Sequence, residues 1–377
     1  MKSDKIVMAI DLLWVKHNKV AGVEVYIRNI LDGLVRIKND YKIYLLVSKD
    51  NVDSFRCYKT DRMELIECDV YSEKVPGRIL WQNLHLGRVL SKLNVNLCFE
   101  PHNYIPFFGV SKIDFITTIH DLQLVHYPQY FSLKKRIWFR FNWINTVRKS
   151  KKIIVISDFV RKDLEELFPK NANKFQVIYN PVNVDTNKYA TTEEIKEKYS
   201  VEPEGYYYTV SSMFPHKNLR TIVKAFSLIK HNSVQVPKKL IISGIGQADK
   251  NGMEFKALLK EYDLENEVIV SGYVSNEMRN GLYKYCRAFL FPSVFEGFGI
   301  PPLEAALFKR PVIATKETCI PEVTQNCINY VDNPYDENEW VAAILNCKEN
   351  KEIDFSQYTV DYGANKYFEV FKEIYYR

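Results

Sequence analysis

The stretch Phe291-Pro-Ser-Val-Phe-Glu-Gly-Phe-Gly-Ile-Pro-Pro-Leu-Glu-Ala305 gathers two carboxylates, two glycines and a Pro-Pro pair at one strand–loop–helix junction. Glycines let the backbone approach a ligand closely. Pro301 and Pro302 suit a first helical turn, whose N–H groups have no partners within the helix. Those free N–H groups attract an anion such as phosphate. Glu296 in the loop and Glu304 inside the helix can each accept hydrogen bonds from vicinal hydroxyls, as on a sugar or a ribose.

Other strand ends carry further polar groups. In Tyr208-Thr-Val-Ser-Ser-Met-Phe-Pro-His-Lys-Asn-Leu219, Lys217 stands at a helix entry, where an ammonium can meet a diphosphate beside exposed N–H groups. Phe115-Ile-Thr-Thr-Ile-His-Asp121 closes a strand on the pair His120 and Asp121. Carboxyl ends of parallel strands are where α/β sheets bind ligands. The loop Phe99-Glu-Pro-His-Asn-Tyr-Ile-Pro106 offers His102 and Asn103, and Ala21-Gly22-Val-Glu24 opens the first helix.

The elements that must hold these groups read as alternating strands and helices. Short apolar runs at 6–10, 44–47, 97–99, 115–119 and 153–156 suit strands buried on both faces of a parallel sheet. The pattern repeats at 206–210, 240–243, 268–271, 288–291 and 311–314. Leu219, Ile222, Val223, Phe226 and Ile229 mark one helix face. The expected fold is therefore α/β with right-handed crossovers. A length of 377 residues favours two domains. Residues 177–182 read as a strand running out into a connection, and charge changes there. Residues 1–177 carry a net +10 and residues 178–377 a net −4. Two halves of opposite sign should meet different partners.

Composition excludes several classes. The chain is 46% hydrophobic and 26% charged, which is globular and not disordered. Seven cysteines without a C-x-x-C pair argue against zinc ribbons and disulfide frameworks, and favour a reducing compartment. No apolar run reaches the ~18 residues that a membrane span requires, so a cytoplasmic protein is expected. No D-x-D occurs to hold Mg²⁺ on a diphosphate, and neither a P-loop nor a G-x-S-x-G elbow is present. No acidic residue lies between Asp121 and Asp158, where residues 134–152 interleave lysines and arginines with Trp138, Phe139, Phe141 and Trp143. That segment suits an anionic membrane surface or a lipid-diphosphate acceptor, or equally a solvated face whose aromatics pack inward. Nucleic acid is a poorer reading, for no recognisable module is present.

Glu296-Gly-Phe-Gly-Ile-Pro-Pro-Leu-Glu304, with Arg310-Pro-Val-Ile-Ala-Thr315 and Ile320-Pro-Glu-Val323 after it, resembles glycosyltransferase family 4. These are retaining, nucleotide-sugar-dependent enzymes of the GT-B fold. The resemblance implies two Rossmann-like domains facing across a cleft: an acceptor domain at 1–177, a donor domain at 178–354, and a C-terminal helix at 355–377 crossing back to the first. It implies donor contacts from Gly22, Ser212, Lys217, Tyr273, Glu296, Gly297, Phe298, Gly299, Ile300 and Glu304. His120 would face the donor sugar, while His102, Asn103 and Asp121 would line the acceptor side. Catalysis would fall to His120, Lys217 and Glu296, with no metal or other cofactor. Two departures stand out. Ser211 replaces a common arginine, and Ala21 one of two adjacent glycines. The wording is nearest to bacterial polysaccharide mannosyl- and rhamnosyltransferases. An epimerase on the same fold and a non-catalytic donor-binding subunit are the alternatives.

Overall fold

The computed structural model describes residues 5–16, 22–232, 235–246 and 250–377. The chain divides into two compact units, Met1–Asn183 with Phe355–Arg377, and Val184–Asp354.

In the first unit seven strands form one sheet: β1 (Ile6–Asp11), β2 (Tyr41–Ser48), β3 (Met63–Cys68), β4 (Leu97–Glu100), β5 (Asp114–Ile119), β6 (Ser150–Val155) and β7 (Phe175–Val177). Their order is β3-β2-β1-β4-β5-β6-β7, and every pairing is parallel. Side chains alternate between two cores. Met8, Ile10, Leu97 and Phe99 pack into one, and Ala9 and Cys98 into the other, as the period of two along a strand requires. The apolar face of α1 (Gly22–Arg36) covers the first core with Ile27, Ile30, Leu31 and Leu34. The loop after β4 leads into β5, and α2 (Leu133–Lys149) lies between β5 and β6.

The second unit repeats this plan with six parallel strands: β8 (Tyr206–Val210), β9 (Lys239–Ser243), β10 (Val268–Gly272), β11 (Phe289–Phe291), β12 (Val312–Thr315) and β13 (Asn329–Val331). Their order is β10-β9-β8-β11-β12-β13. Three helices matter for the site: α3 (Leu219–His231), α4 (Asn276–Tyr285) and α5 (Ile300–Leu307). In each sheet the connections reverse direction at one place, between β1 and β4 and between β8 and β11. At such a switch point the loops diverge and leave room for a ligand.

One local reading of the sequence needs correction, and two strands were missed. Residues 178–182 are not strand: β7 ends at Val177, and after the Ile178 N–H donates to the Val155 carbonyl at 3.0 Å the backbone leaves the sheet, the Pro181 carbonyl accepting from Asn29 Nδ2 at 3.0 Å and the Val182 N–H donating to the Tyr358 carbonyl at 2.8 Å. The edge strand β3 has no continuous apolar run, since Met63-Glu-Leu-Ile-Glu-Cys68 alternates apolar with acidic residues. In the second sheet the edge strand β13 is three residues long and too short to register as a pattern.

The last helix, α6 (Val360–Tyr375), belongs to the first unit. Tyr367, Phe368, Phe371 and Ile374 enter the same core as α1, and the Tyr367 hydroxyl meets that of Tyr26 at 2.5 Å. The two helices approach at Gly33, where a Cβ would lie 2.4 Å from Ala364 Cβ and 2.8 Å from the Val360 carbonyl. Gly33→Ala should therefore destabilise the first unit by ~1–3 kcal/mol through overpacking. Differential scanning calorimetry on the variant checks this, and an unchanged melting temperature would count against so close a helix contact.

Candidate active site

Lys217 and Glu296 come from the loops after β8 and β11, the two strands flanking the switch point of the second unit. Lys217 ends a short 3-10 turn before α3, and Asn218 follows it with φ +50°. Asn218 Nδ2 donates to the Pro334 carbonyl at 2.7 Å, and its Oδ1 accepts from Thr221 Oγ1 at 2.7 Å. These bonds fix the entry of α3. The neighbouring loop is stitched on by the His216 carbonyl, which accepts from the Val294 N–H at 2.8 Å and Ser293 Oγ at 3.3 Å. Thr315 Oγ1 donates to the Ser293 carbonyl at 2.6 Å. So framed, Lys217 Nζ reaches Glu296 Oε1 at 2.6 Å, with side chains 22% and 15% exposed. A pair this short and shielded is a charge-assisted hydrogen bond of the strong kind.

The rest of the loop follows from glycine and its contacts. Gly299 has φ +80° and precedes α5, and a Cβ there would strike Ile320 Cδ1 at 2.5 Å. The positive φ favours glycine, and any Cβ there would also oblige the tip of Ile320 to shift. The Glu296 N–H donates to Thr318 Oγ1 at 3.2 Å, and the Cys319 thiol to the Glu296 carbonyl at 3.2 Å. Phe298 is buried, Gly297 is half-buried and Ile300 begins α5. Eight residues beyond Glu296, Glu304 is 8% exposed. Its Oε2 accepts from the Tyr283 hydroxyl at 2.9 Å, and its Oε1 faces Arg279 Nη2 at 3.6 Å. Burial, and then the Glu304 charge, push the Tyr283 phenol upward, so it remains an O–H donor. Burial, and then Lys217, hold the His216 imidazole down at about 4.

Other residues named from the sequence are placed less centrally. Ser211 gives its N–H to the Ser243 carbonyl at 2.9 Å and its hydroxyl to the Ser212 carbonyl at 3.1 Å. Tyr273 follows β10, two strands from β8, and is 81% exposed. It makes no hydrogen bond with Lys217 or Glu296. Gly22 opens α1 with open space where a Cβ would stand, and Ala21 lies outside the described residues.

In the first unit, His120 and His102 follow β5 and β4. His120 Nε2 lies 2.9 Å from the Pro101 carbonyl. A carbonyl only accepts, so Nε2 carries the proton and Nδ1 keeps its lone pair. The Tyr26 ring meets His120 edge-on at 4.7 Å. Burial lowers the pKa of His120, and that of His102 falls to about 3 by burial and then by His120 and Arg78. Both rings are neutral at physiological pH. His102 stacks on Trp14 at 5.1 Å. The Asn103 carbonyl accepts from Asn142 Nδ2 of α2 at 2.5 Å. Asp121 is exposed, and its Oδ1 accepts from the Gln123 N–H at 3.0 Å.

Sequence reading missed Arg279 and Tyr283. They stand four apart on α4 and so share a face, but nothing local says that this face meets Glu304. It also missed the buried carboxyls Asp11 and Glu100, which end β1 and β4 at the first switch point. Gln82 Nε2 donates to Asp11 Oδ2 at 2.7 Å. The only sequence signal was an acid closing each apolar run. Among the described residues no cluster of three or more His, Cys, Asp or Glu is arranged to hold a metal ion, and no helix is long and apolar enough to cross a membrane.

Comparison with known proteins identifies the family and the fold. Residues 191–366 match the family "Glycosyl transferases group 1" and residues 20–186 match "Glycosyltransferase Family 4". The chain is 31% identical to the O-antigen chain mannosyltransferase RfbU of Salmonella typhimurium, over 81% of its own length and 77% of that protein. It is 28% identical to O-antigen chain mannosyltransferase B of Escherichia coli, over 61% and 60% of the two chains. Among solved structures, a glycosyltransferase from Rickettsia africae superposes with a TM-score of 0.70 at 20% identity, covering 98% of this chain and 99% of that one. Anabaena HepE in complex with UDP and glucose superposes at 0.65 and 16% identity, over 98% and 94%. The two Rossmann-like units form a GT-B-type fold, and the chain belongs to the group 1, family 4 glycosyltransferases, enzymes that transfer a sugar from a nucleotide-sugar donor.

Proposed function

We propose that this glycosyltransferase moves a hexosyl group, most simply mannosyl, from a nucleoside-diphosphate sugar on the second unit to a glycan or lipid-linked acceptor on the first. The product would belong to a bacterial surface polysaccharide. The mannosyl assignment rests on the names of its curated relatives. The donor assignment rests on one observation, the 2.6 Å contact of Lys217 with Glu296 at the switch point.

That contact supports the reading because each partner has a use once the other leaves. A diphosphate drawn to Lys217 and to the N–H groups of residues 297–300 displaces the carboxylate from the ammonium. Glu296 is then free to accept hydrogen bonds from the sugar hydroxyls. As the bond from the anomeric carbon to the diphosphate oxygen breaks, negative charge grows on the β-phosphate, and Lys217 and those N–H groups stabilise it. The acceptor oxygen forms its new bond from the same face and passes its proton to the leaving phosphate, so configuration is retained. Glu304 holds the ribose, and Ser212, Phe298 and Tyr273 border the nucleotide. Within the first unit, His120 keeps on Nδ1 a lone pair suited to a sugar hydroxyl, and Gly22 leaves open space at the start of α1. His102, Asn103 and Asp121 receive the acceptor.

A membrane-surface location is part of the proposal. In α2, Asn142, Asn145 and Lys149 turn inward to the carbonyls of residues 103, 105, 106 and 107. Trp143 is buried, whereas Leu133, Ile137 and Phe141 are half or more exposed. They stand beside Lys134, Lys135 and Arg140, a composition suited to an anionic lipid surface.

Two measurements test these assignments. Glu296→Gln should bind nucleoside diphosphate at least as well as the wild type, because the carboxylate no longer competes for Lys217, but transfer sugar at least ~10²-fold more slowly. Glu304→Ala should weaken the nucleotide itself by ~1–3 kcal/mol. Calorimetry with the nucleoside diphosphate, beside turnover of the full donor, separates the two effects, and full activity in Glu296→Gln removes its catalytic role. For the surface, Ile137→Asn with Phe141→Asn should reduce cosedimentation with phosphatidylglycerol vesicles several-fold and leave turnover of a short soluble acceptor unchanged. Wild-type protein that ignores such vesicles at low salt would eliminate the membrane claim.

A further inference from the structure

Glu304 poses an electrostatic problem that its neighbour solves in an unusual way. A carboxylate 8% exposed is costly unless paired. A close ion pair would settle the charge but would also consume the lone pairs that a ligand must use. Arg279 stops short of that. Its Nη2 stands 3.6 Å from Glu304 Oε1, beyond the ~2.7–2.9 Å of a charge-assisted hydrogen bond. Its Nε is buried without a hydrogen-bond partner. Tyr283, four residues further along the same helix, takes one site on Oε2 at 2.9 Å. A carboxylate has about four acceptor sites, and both lone pairs of Oε1 remain unspent.

We propose that Arg279 is a positioning residue for nucleotide recognition: it neutralises the buried Glu304 without occupying it, so that Oε1 stays open to the vicinal hydroxyls of a ribose. Selectivity for ribonucleotides then depends on α4, an element carrying none of the loop residues that meet phosphate. The inference rests on the reading above, in which Glu304 holds the ribose.

The test is a ratio measured within each protein. UDP and GDP are titrated calorimetrically, each beside its 2′-deoxy counterpart, into wild type, Arg279→Met, Arg279→Gln and Arg279→Lys. Wild type should prefer the ribonucleotide by at least ~10-fold, as loss of a hydrogen bond to a charged group implies. Arg279→Met and Arg279→Gln should compress the preference to within ~3-fold, and Arg279→Lys should restore most of it. Because both ligands sample the same folded fraction, partial unfolding of a variant leaves the ratio intact, and Arg279→Gln carries the test if Arg279→Met does not accumulate. An unchanged ratio in both neutral variants overturns the role of Arg279 alone. Equal weakening of ribo and deoxy ligands also overturns it, by pointing to a phosphate contact instead. A wild-type ratio near one overturns the ribose role of Glu304, and this inference with it.

Discussion

An ammonium and a carboxylate 2.6 Å apart, at 22% and 15% exposure, are stable only if the surrounding backbone leaves them no better arrangement. Much of the second unit's binding edge serves that end. The His216 carbonyl ties the β11 loop to the β8 loop, Asn218 anchors the start of α3 to Pro334, and Gly299 turns the chain where any side chain would collide with Ile320. The parallel sheet supplies the frame, because β8 and β11 are neighbours whose outgoing loops diverge. In the proposed function this pair is the element that a diphosphate exchanges, taking the lysine from the carboxylate.

The first unit solves its electrostatics differently. At its switch point burial works against charge on the carboxyls and imidazoles alike. Burial raises the pKa of Asp11, and burial followed by the charge of Asp11 raises that of Glu100 well above the carboxylate range. His102 and His120 are kept neutral by burial. Part of the net +10 of residues 1–177 stands on the outer side of α2, while Arg78 remains near Asp11, Glu100 and His102. Uncharged donors and acceptors suit hydroxyl groups, whereas the ion pairs of the second unit suit a diphosphate. This contrast fits the proposed division between acceptor and donor.

Legibility in the sequence followed locality. The segment from Glu296 to Glu304 could be read because turn glycines, helix-opening prolines and both carboxylates lie within one short run. Lys217 could be read from its own strand–helix junction, although the 79 residues separating it from Glu296 conceal their contact. Arg279 and Tyr283 left no trace, because their meaning arises where α4 packs against α5, a tertiary fact. Strands buried on both faces announced themselves through apolar runs. The strands β3 and β13 did not, since Glu64 and Glu67 interrupt the apolar run of one and the other has only three residues. Over residues 178–182 the apolar spacing was misleading, and Pro181 was the stronger signal.

The place of α6 in the first unit has a consequence for synthesis. A ribosome releases residues 1–183 well before it makes residues 360–375, yet Tyr367, Phe368, Phe371 and Ile374 complete the core beneath α1. The second unit is continuous in sequence, and its strands and helices are all available by residue 354. Domains generally fold as units while the chain emerges. The unit encoded first is therefore the one finished last, holding its α1 surface open until the final helix arrives.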